Sequence, residues 1–540
     1  MSLLVACGVA IPASPSVAGG PTAQATSAGA TVATSGATTS AGSPPQAALP
    51  TTPAQTPVAQ PPRRGGTLRQ AILGDLPSLD VQFVGPNEYE NLWLVFDRLI
   101  AYDDTLNPQP QLAESWDVGG DFKHIKLNLR KGVQWHSGRD FTSDDVKYNL
   151  LRVRDPKVGS GTFVNQSNWF SSIDTPDKYT VILTSDEPRP LVFDFFQFFN
   201  VVDQMTAEGP NARSQAVGTG PFSFVEWVQG DHLSLVKNQN YWQSGRPYLD
   251  GINVAVIRDQ QTMVAQLEAA ALDAIKSPPV NDFVRLKTDP KYQALVHPNG
   301  GLFYLIGVNV LNPPLDNKTV RQGLSFAVDR KRFADSVLQG IGQPQSLPWP
   351  PSSPAYDAAR DAFFTFDLDR AGAMLAGAGV TNLSMDILLN NSQDGLSLAQ
   401  IYQADLARIG VTLNIKPMES ATWLDQVNNR KYNGLYWSTA ARTNLLPGTM
   451  LSSSRGTDPL NNNSGFRSDA YTQLVSAATS ETDPARRKQI YSQINDLLLD
   501  EVFFMAMSPA PPTLLARSVV HGITASSLGG FGFTDAWLEG

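Results

Sequence analysis

The chain has 540 residues, 42% hydrophobic and 17% charged, with 42 glycines, 39 prolines and a formal net charge of −9. That is longer than one hydrophobic core sustains, so at least two lobes are expected. A single cysteine, Cys7, rules out an intramolecular disulfide and a thiolate zinc site, no apolar run approaches the ~18 residues of a membrane span, and no basic stripe invites nucleic acid.

None of the 41 basic and 50 acidic residues precedes Arg63. Residues 8–62 are mostly Ala, Thr, Ser, Pro, Gly, Gln and Val, which cannot bury enough surface to offset their ordering entropy. Residues 8–65 are therefore expected to be a disordered tether with an end-to-end distance on the order of 40 Å. Before it, Leu4-Val5-Ala6-Cys7 resembles the lipobox of bacterial lipoproteins, in which the cysteine carries the lipid. Only six residues precede Cys7, short of the basic and apolar segments of a secretory leader, so residues 1–7 read as a truncated lipoprotein signal.

The charged body opens with apolar/polar alternation over 67–72, which predicts a strand, and a turn at 77–80. Spacing over 90–99 puts Leu92, Val95, Phe96 and Leu99 on one helical face. Alternating Ile125, Leu127 and Leu129 predict a strand over 123–129. Thr142 with Asp145 three residues on predicts a capped helix running to about Val153. Further helices are expected at 260–270, 321–338, 396–409, 469–479 and 484–499, the last with Asp483 as N-cap and Pro484 at its first position. Strands are expected between them at 252–257, 303–308, 385–389, 411–415 and 434–438. Such interleaving predicts an α/β chain with open sheets.

Catalytic patterns do not occur. There is no GxxxxGK[ST] phosphate loop, GxSxG elbow or HExxH helix, and His124, His136, His232, His297 and His521 are dispersed. The glycine-rich Val217-Gly218-Thr219-Gly220-Pro221-Phe222 fails GxGxxG at Ser223 and reads as a backbone turn. No metal site, cofactor or catalytic residue is expected, with a carboxylate pair assembled only by folding left open.

Four stretches carry a family resemblance. The first holds Pro110-Gln111-Leu112-Ala113-Glu114-Ser115-Trp116, Leu129-Arg130-Lys131-Gly132-Val133 and Trp135-His136-Ser137-Gly138, then residues 142–148. The second holds residues 217–222, Asn238-Gln239-Asn240-Tyr241-Trp242 and Pro247-Tyr248-Leu249-Asp250-Gly251-Ile252. The third runs from Val320 to Arg330, and the fourth joins Leu406-Ala407-Arg408-Ile409-Gly410-Val411 to Glu481-Thr482-Asp483-Pro484-Ala485-Arg486-Arg487. In order and spacing, over nearly all of residues 65–525, the chain resembles the family 5 solute-binding proteins of bacterial ABC importers, the dipeptide, oligopeptide and nickel receptors.

The resemblance implies an α/β fold of the periplasmic-binding-protein type II-like class, two lobes with a hinge and an extra subdomain on lobe one. Lobe one would comprise 66–107, 217–305 and 508–540, the subdomain 108–216 and lobe two 306–507, with hinge strands near 304–309 and 504–509. It also implies a monomeric extracytoplasmic binding protein, not an enzyme. Anchored to the membrane through lipid on Cys7, it would deliver a peptide-like solute to an ABC permease served by a separate ATPase.

In peptide-binding members a cleft strand of pattern Gly-Trp-x-Ala-Asp pairs with the peptide, and its Asp holds the α-ammonium. The matching stretch is Tyr436-Trp437-Ser438-Thr439-Ala440, with Ala440 in place of that Asp and Arg442 two residues on. Loop 390–395, Asn390-Asn391-Ser392-Gln393-Asp394-Gly395, lacks the arginine that dipeptide members use for the ligand carboxylate. Both anchors of a free dipeptide are thus missing, and the loop's amides suit uncharged or hydroxyl-bearing groups. Candidate ligand contacts are Phe83, Val84, Asn87, Trp169, Asn390, Gln393, Tyr436, Trp437, Ser438 and Arg442. A longer peptide, an oligosaccharide, a small anion or a nickel chelate remain alternatives, as do a secreted hydrolase and a signalling receptor.

Overall fold

The computed structural model describes residues 61–540 except 85–88, 104, 156, 159–165, 298–300, 441–444 and 527–529. Cys7, almost all of the expected tether, Asn87 and Arg442 lie outside the described residues.

A seven-stranded mixed sheet builds the first lobe, in the order Tyr292–Val296, Thr513–Arg517, Ala274–Lys276, Thr67–Ile72, Gly251–Val256, His232–Lys237, Phe222–Val228. Its centre is the parallel pair Thr67–Ile72 and Gly251–Val256, where Leu68, Ala71, Ile252 and Val254 are buried. A five-stranded sheet builds the second lobe, in the order Thr412–Pro417, Ser384–Leu389, Gly434–Ala440, Leu302–Val308, Phe504–Ala510. In the chain between strands Thr67–Ile72 and Phe222–Val228 comes an antiparallel four-stranded sheet, Ala113–Asp117, His124–Leu129, Thr180–Ser185, Phe170–Asp177. Ile125, Leu127, Val181 and Leu183 fill its inner face, and helix Ser143–Arg152 covers them with Val146 and Leu150. The Thr142–Asp145 capping box is present at that helix's start.

The chain passes between the two large sheets beside itself. It leaves the first after Tyr292–Val296 to enter Leu302–Val308, and returns after Phe504–Ala510 into Thr513–Arg517. The outgoing and returning strands are partners on both sides, with Val296 opposite Thr513 and Leu302 opposite Ala510. Two adjacent crossings make a hinge, because rotation there leaves both sheets intact.

Two expected helices are shorter than their periodicity suggests. The 90–99 segment is helical only within Tyr89–Leu92, because the carbonyls of Leu94 and Val95 turn to accept from Phe222 N and Gly220 N, both at 2.9 Å. This approach accounts for the glycine-rich turn: a Cβ on Gly218 would lie 1.9 Å from the Val95 carbonyl oxygen. The 321–338 segment breaks after Lys318–Phe326. Asp329 caps a new turn, Arg330–Arg332, by accepting from Arg332 N at 2.9 Å. The buried Arg330 guanidinium donates back to Ser325 O and across to Ala506 O, and a π-turn follows at Phe333–Val337.

Away from the hinge, helix Val192–Phe198 ties the second lobe to strand Ile100–Tyr102. Its fully buried Asp194 accepts from Tyr102 Oη at 3.0 Å, from Leu446 N at 3.4 Å and from the Thr449 hydroxyl. Burial raises this carboxyl to about 6.

Candidate functional site

Beside the hinge lies a cavity of about 1160 Å³ walled by both lobes. The first lobe contributes Glu90, Arg258 and Asp259, and the second contributes Tyr304, Gln393 and Asp394. Residues 510–513, the returning hinge segment, close one side. The volume exceeds the roughly 300–1,000 Å³ of ordinary small-molecule pockets.

The second-lobe wall is built on an aromatic stack. Tyr304, on Leu302–Val308, lies over the Trp437 ring at 5.1 Å and an interplanar angle of 14°. Phe333 meets both rings edge-on, at 5.7 and 5.6 Å. Helix Gln393–Ala407 starts on top of this stack, with Ser392 Oγ capping it by accepting from Gly395 N at 3.1 Å. Gly395 is required there, since a Cβ would sit 2.5 Å from Trp437 Cδ1.

Asp394, in the first turn of that helix, accepts from the Tyr304 hydroxyl through Oδ2 at 3.2 Å. No other hydrogen bond or ion pair reaches its carboxylate among the described residues. Burial raises the Asp394 pKa and the Tyr304 hydroxyl offsets part of that rise. Tyr304 is raised in turn, by burial first and then by the neighbouring carboxylate.

On the facing wall, Glu90 accepts from Lys276 Nζ and from Phe531 N, both at 2.8 Å. Asp259 caps helix Gln260–Glu268 by accepting from Thr262 N at 2.7 Å. The adjoining Arg258 is exposed and has no hydrogen bond or ion pair among the described residues. Gln339 of the second lobe and Asn281 of the first both line the cavity, and the Gln339 amide donates to Asn281 Oδ1.

The structure brings only part of the expected contact set to this cavity. Gln393 lines it, and Trp437 supports it from behind Tyr304. Tyr436 points the other way along the strand and is fully buried against Tyr432 and Trp423, so its side chain belongs to the second-lobe core. Ser438 is half-buried and donates to Thr439 O, while Asn390 Oδ1 is buried without a partner among the described residues. Val84 is in the first-lobe core. Phe83 is partly exposed beneath the Arg213 guanidinium, 3.7 Å from its ring centroid, and Trp169 packs beside Phe195 and Arg189. Neither lines the cavity. Tyr304, Asp394 and Arg258 were not among the expected contacts. The signal for Asp394 was its being the only charged residue of the amide-rich loop 390–395.

The sequence model "Bacterial extracellular solute-binding proteins, family 5 Middle" matches residues 107–461. The chain is 29% identical over 508 residues to Heme-binding protein A of Haemophilus influenzae, covering 87% of this chain and 91% of that one. It is 27% identical over 472 residues to Di/tripeptide-binding protein 1 of Pseudomonas aeruginosa, covering 81% and 87%. The solved ABC transporter substrate-binding protein CtaP of Listeria monocytogenes superposes with a TM-score of 0.79 at 21% identity, over 88% of this chain and 100% of that one. At that identity the likeness establishes the fold, the two-lobed periplasmic-binding-protein type II-like class with its extra subdomain.

Proposed function

The chain belongs to the bacterial extracellular solute-binding proteins of family 5, and from that premise we propose that it captures a peptide-like solute in the interlobe cavity and delivers it to an ABC importer. The observation that carries this reading is the cavity of about 1160 Å³ set between two lobes that share adjacent chain crossings. A solute touching both walls favours the closed arrangement over the open one, which is how a binding protein converts occupancy into shape. In this reading the permease and its separate ATPase recognise the closed form, and the protein performs no chemistry on its cargo. Lobe one takes 66–107, 217–305 and 508–540, the subdomain 108–216 and lobe two 306–507. Lipid on Cys7 and the 8–65 tether hold the body at the membrane.

The relative named for heme supports a second reading, a non-peptide solute. Thermal-shift titration of unfolded and refolded protein separates the two. A tri- to pentapeptide library is expected to raise the melting temperature, with hemin and cello-oligosaccharides inert. A shift with hemin or sugar alone would replace the peptide reading.

A further inference from the structure

Four charged side chains line the cavity among the described residues: Glu90, Arg258, Asp259 and Asp394. Two are already satisfied within the protein. Glu90 is neutralised by Lys276 and held by Phe531 N, and Asp259 is spent on a helix cap. Neither of the other two makes an ion pair among the described residues: Asp394 accepts only from the Tyr304 hydroxyl, and the Arg258 guanidinium donates no hydrogen bond.

We propose that Asp394 and Arg258 anchor opposite ends of a zwitterionic solute, Asp394 taking a free ammonium group and Arg258 a free carboxylate. The inference rests on the reading of this cavity as the solute site. Asp394 suits the role by position and by chemistry. Its first oxygen is fixed by Tyr304, which the Trp437 and Phe333 rings hold in place, so the second oxygen presents open acceptor positions from a rigid support. Its carboxylate is partly desolvated without a neighbouring cation, a cost that an ammonium group removes on binding. Arg258 brings a planar fork that matches a carboxylate. The two stand on different lobes, so a ligand bearing both charges is engaged fully only when the lobes close on it.

The test uses a lysine-free randomised library of tri- to pentapeptides made in three forms: free, N-acetylated and C-amidated. Wild type, Asp394→Asn and Arg258→Gln are each incubated with all three, and retained peptides are quantified by mass spectrometry after ultrafiltration. Wild type is expected to retain the free form about tenfold or more over either blocked form. Asp394→Asn should lose discrimination against the acetylated form only, and Arg258→Gln against the amidated form only. Equal retention of free and blocked peptides by the wild type would overturn the inference while leaving peptide capture in place. Retention of none of the three would defeat peptide capture itself. Arg258 is exposed, so its variant keeps the test decisive if Asp394→Asn does not fold.

Discussion

At Gly395 the absence of one methyl group sets the height of the second-lobe wall. A Cβ there would overlap Trp437, so Gly395→Ala must push the helix start or the indole away, at a cost of about 1–3 kcal/mol. Urea unfolding should show that loss, and peptide retention should fall with it, because Asp394 is the adjoining residue. Unchanged stability would mean the indole moves freely and does not brace the site. Asp194 offers a pH test at the same scale. Burial raises its carboxyl to about 6 inside the protein, against the ordinary 3.8 of an aspartate. The folded state therefore holds its proton more tightly, and the stability gained from the protonated form is lost as pH rises from about 4 through about 6. Relative to wild type, Asp194→Asn should gain melting temperature between pH 4 and pH 7; a constant difference across that range would contradict the burial effect. The same scale shows why the site was only partly legible. Gln393 and Trp437 stood in stretches that the family pattern marks. Tyr304 and Arg258 join the cavity from positions 89 and 135 residues away from Gln393, and only the folded sheets bring them to it.

At the scale of elements, most of the architecture was written in local pattern. The alternation over 67–72 became strand Thr67–Ile72, and Asp483-Pro484 opens helix Pro484–Glu501. The failures came where a distant backbone outcompeted a local one. Leu94 and Val95 give their carbonyls to 220–222 instead of to the next helical turn, and Arg330 anchors its turn on Ala506, 176 residues away. No periodicity records such partners. One local signal bears directly on the site: Ser392 caps the helix that carries Asp394. Ser392→Ala should cost about 1 kcal/mol and loosen the helix start, read as faster amide exchange at Gly395. Unaltered exchange there would show that the Trp437 contact alone fixes this turn.

The molecule as a whole is two lobes on a two-strand hinge, with an uncharged head expected to bear the lipid. If Cys7 is the attachment point, the N-terminal peptide of protein taken from the cell envelope carries acyl mass on its cysteine; an unmodified Cys7 in that peptide would refute the anchor. A length of 540 residues asked for more than one core, and the topology turns that demand into a device in which neighbouring strands carry the chain between the halves. The most direct measurement of solute capture is native mass spectrometry of the protein as purified, before and after incubation with the peptide library. Capture predicts a non-covalent complex at one-to-one stoichiometry whose released partner fragments as an unaltered peptide. Bare protein under both conditions, or peptides returned cleaved, would contradict it.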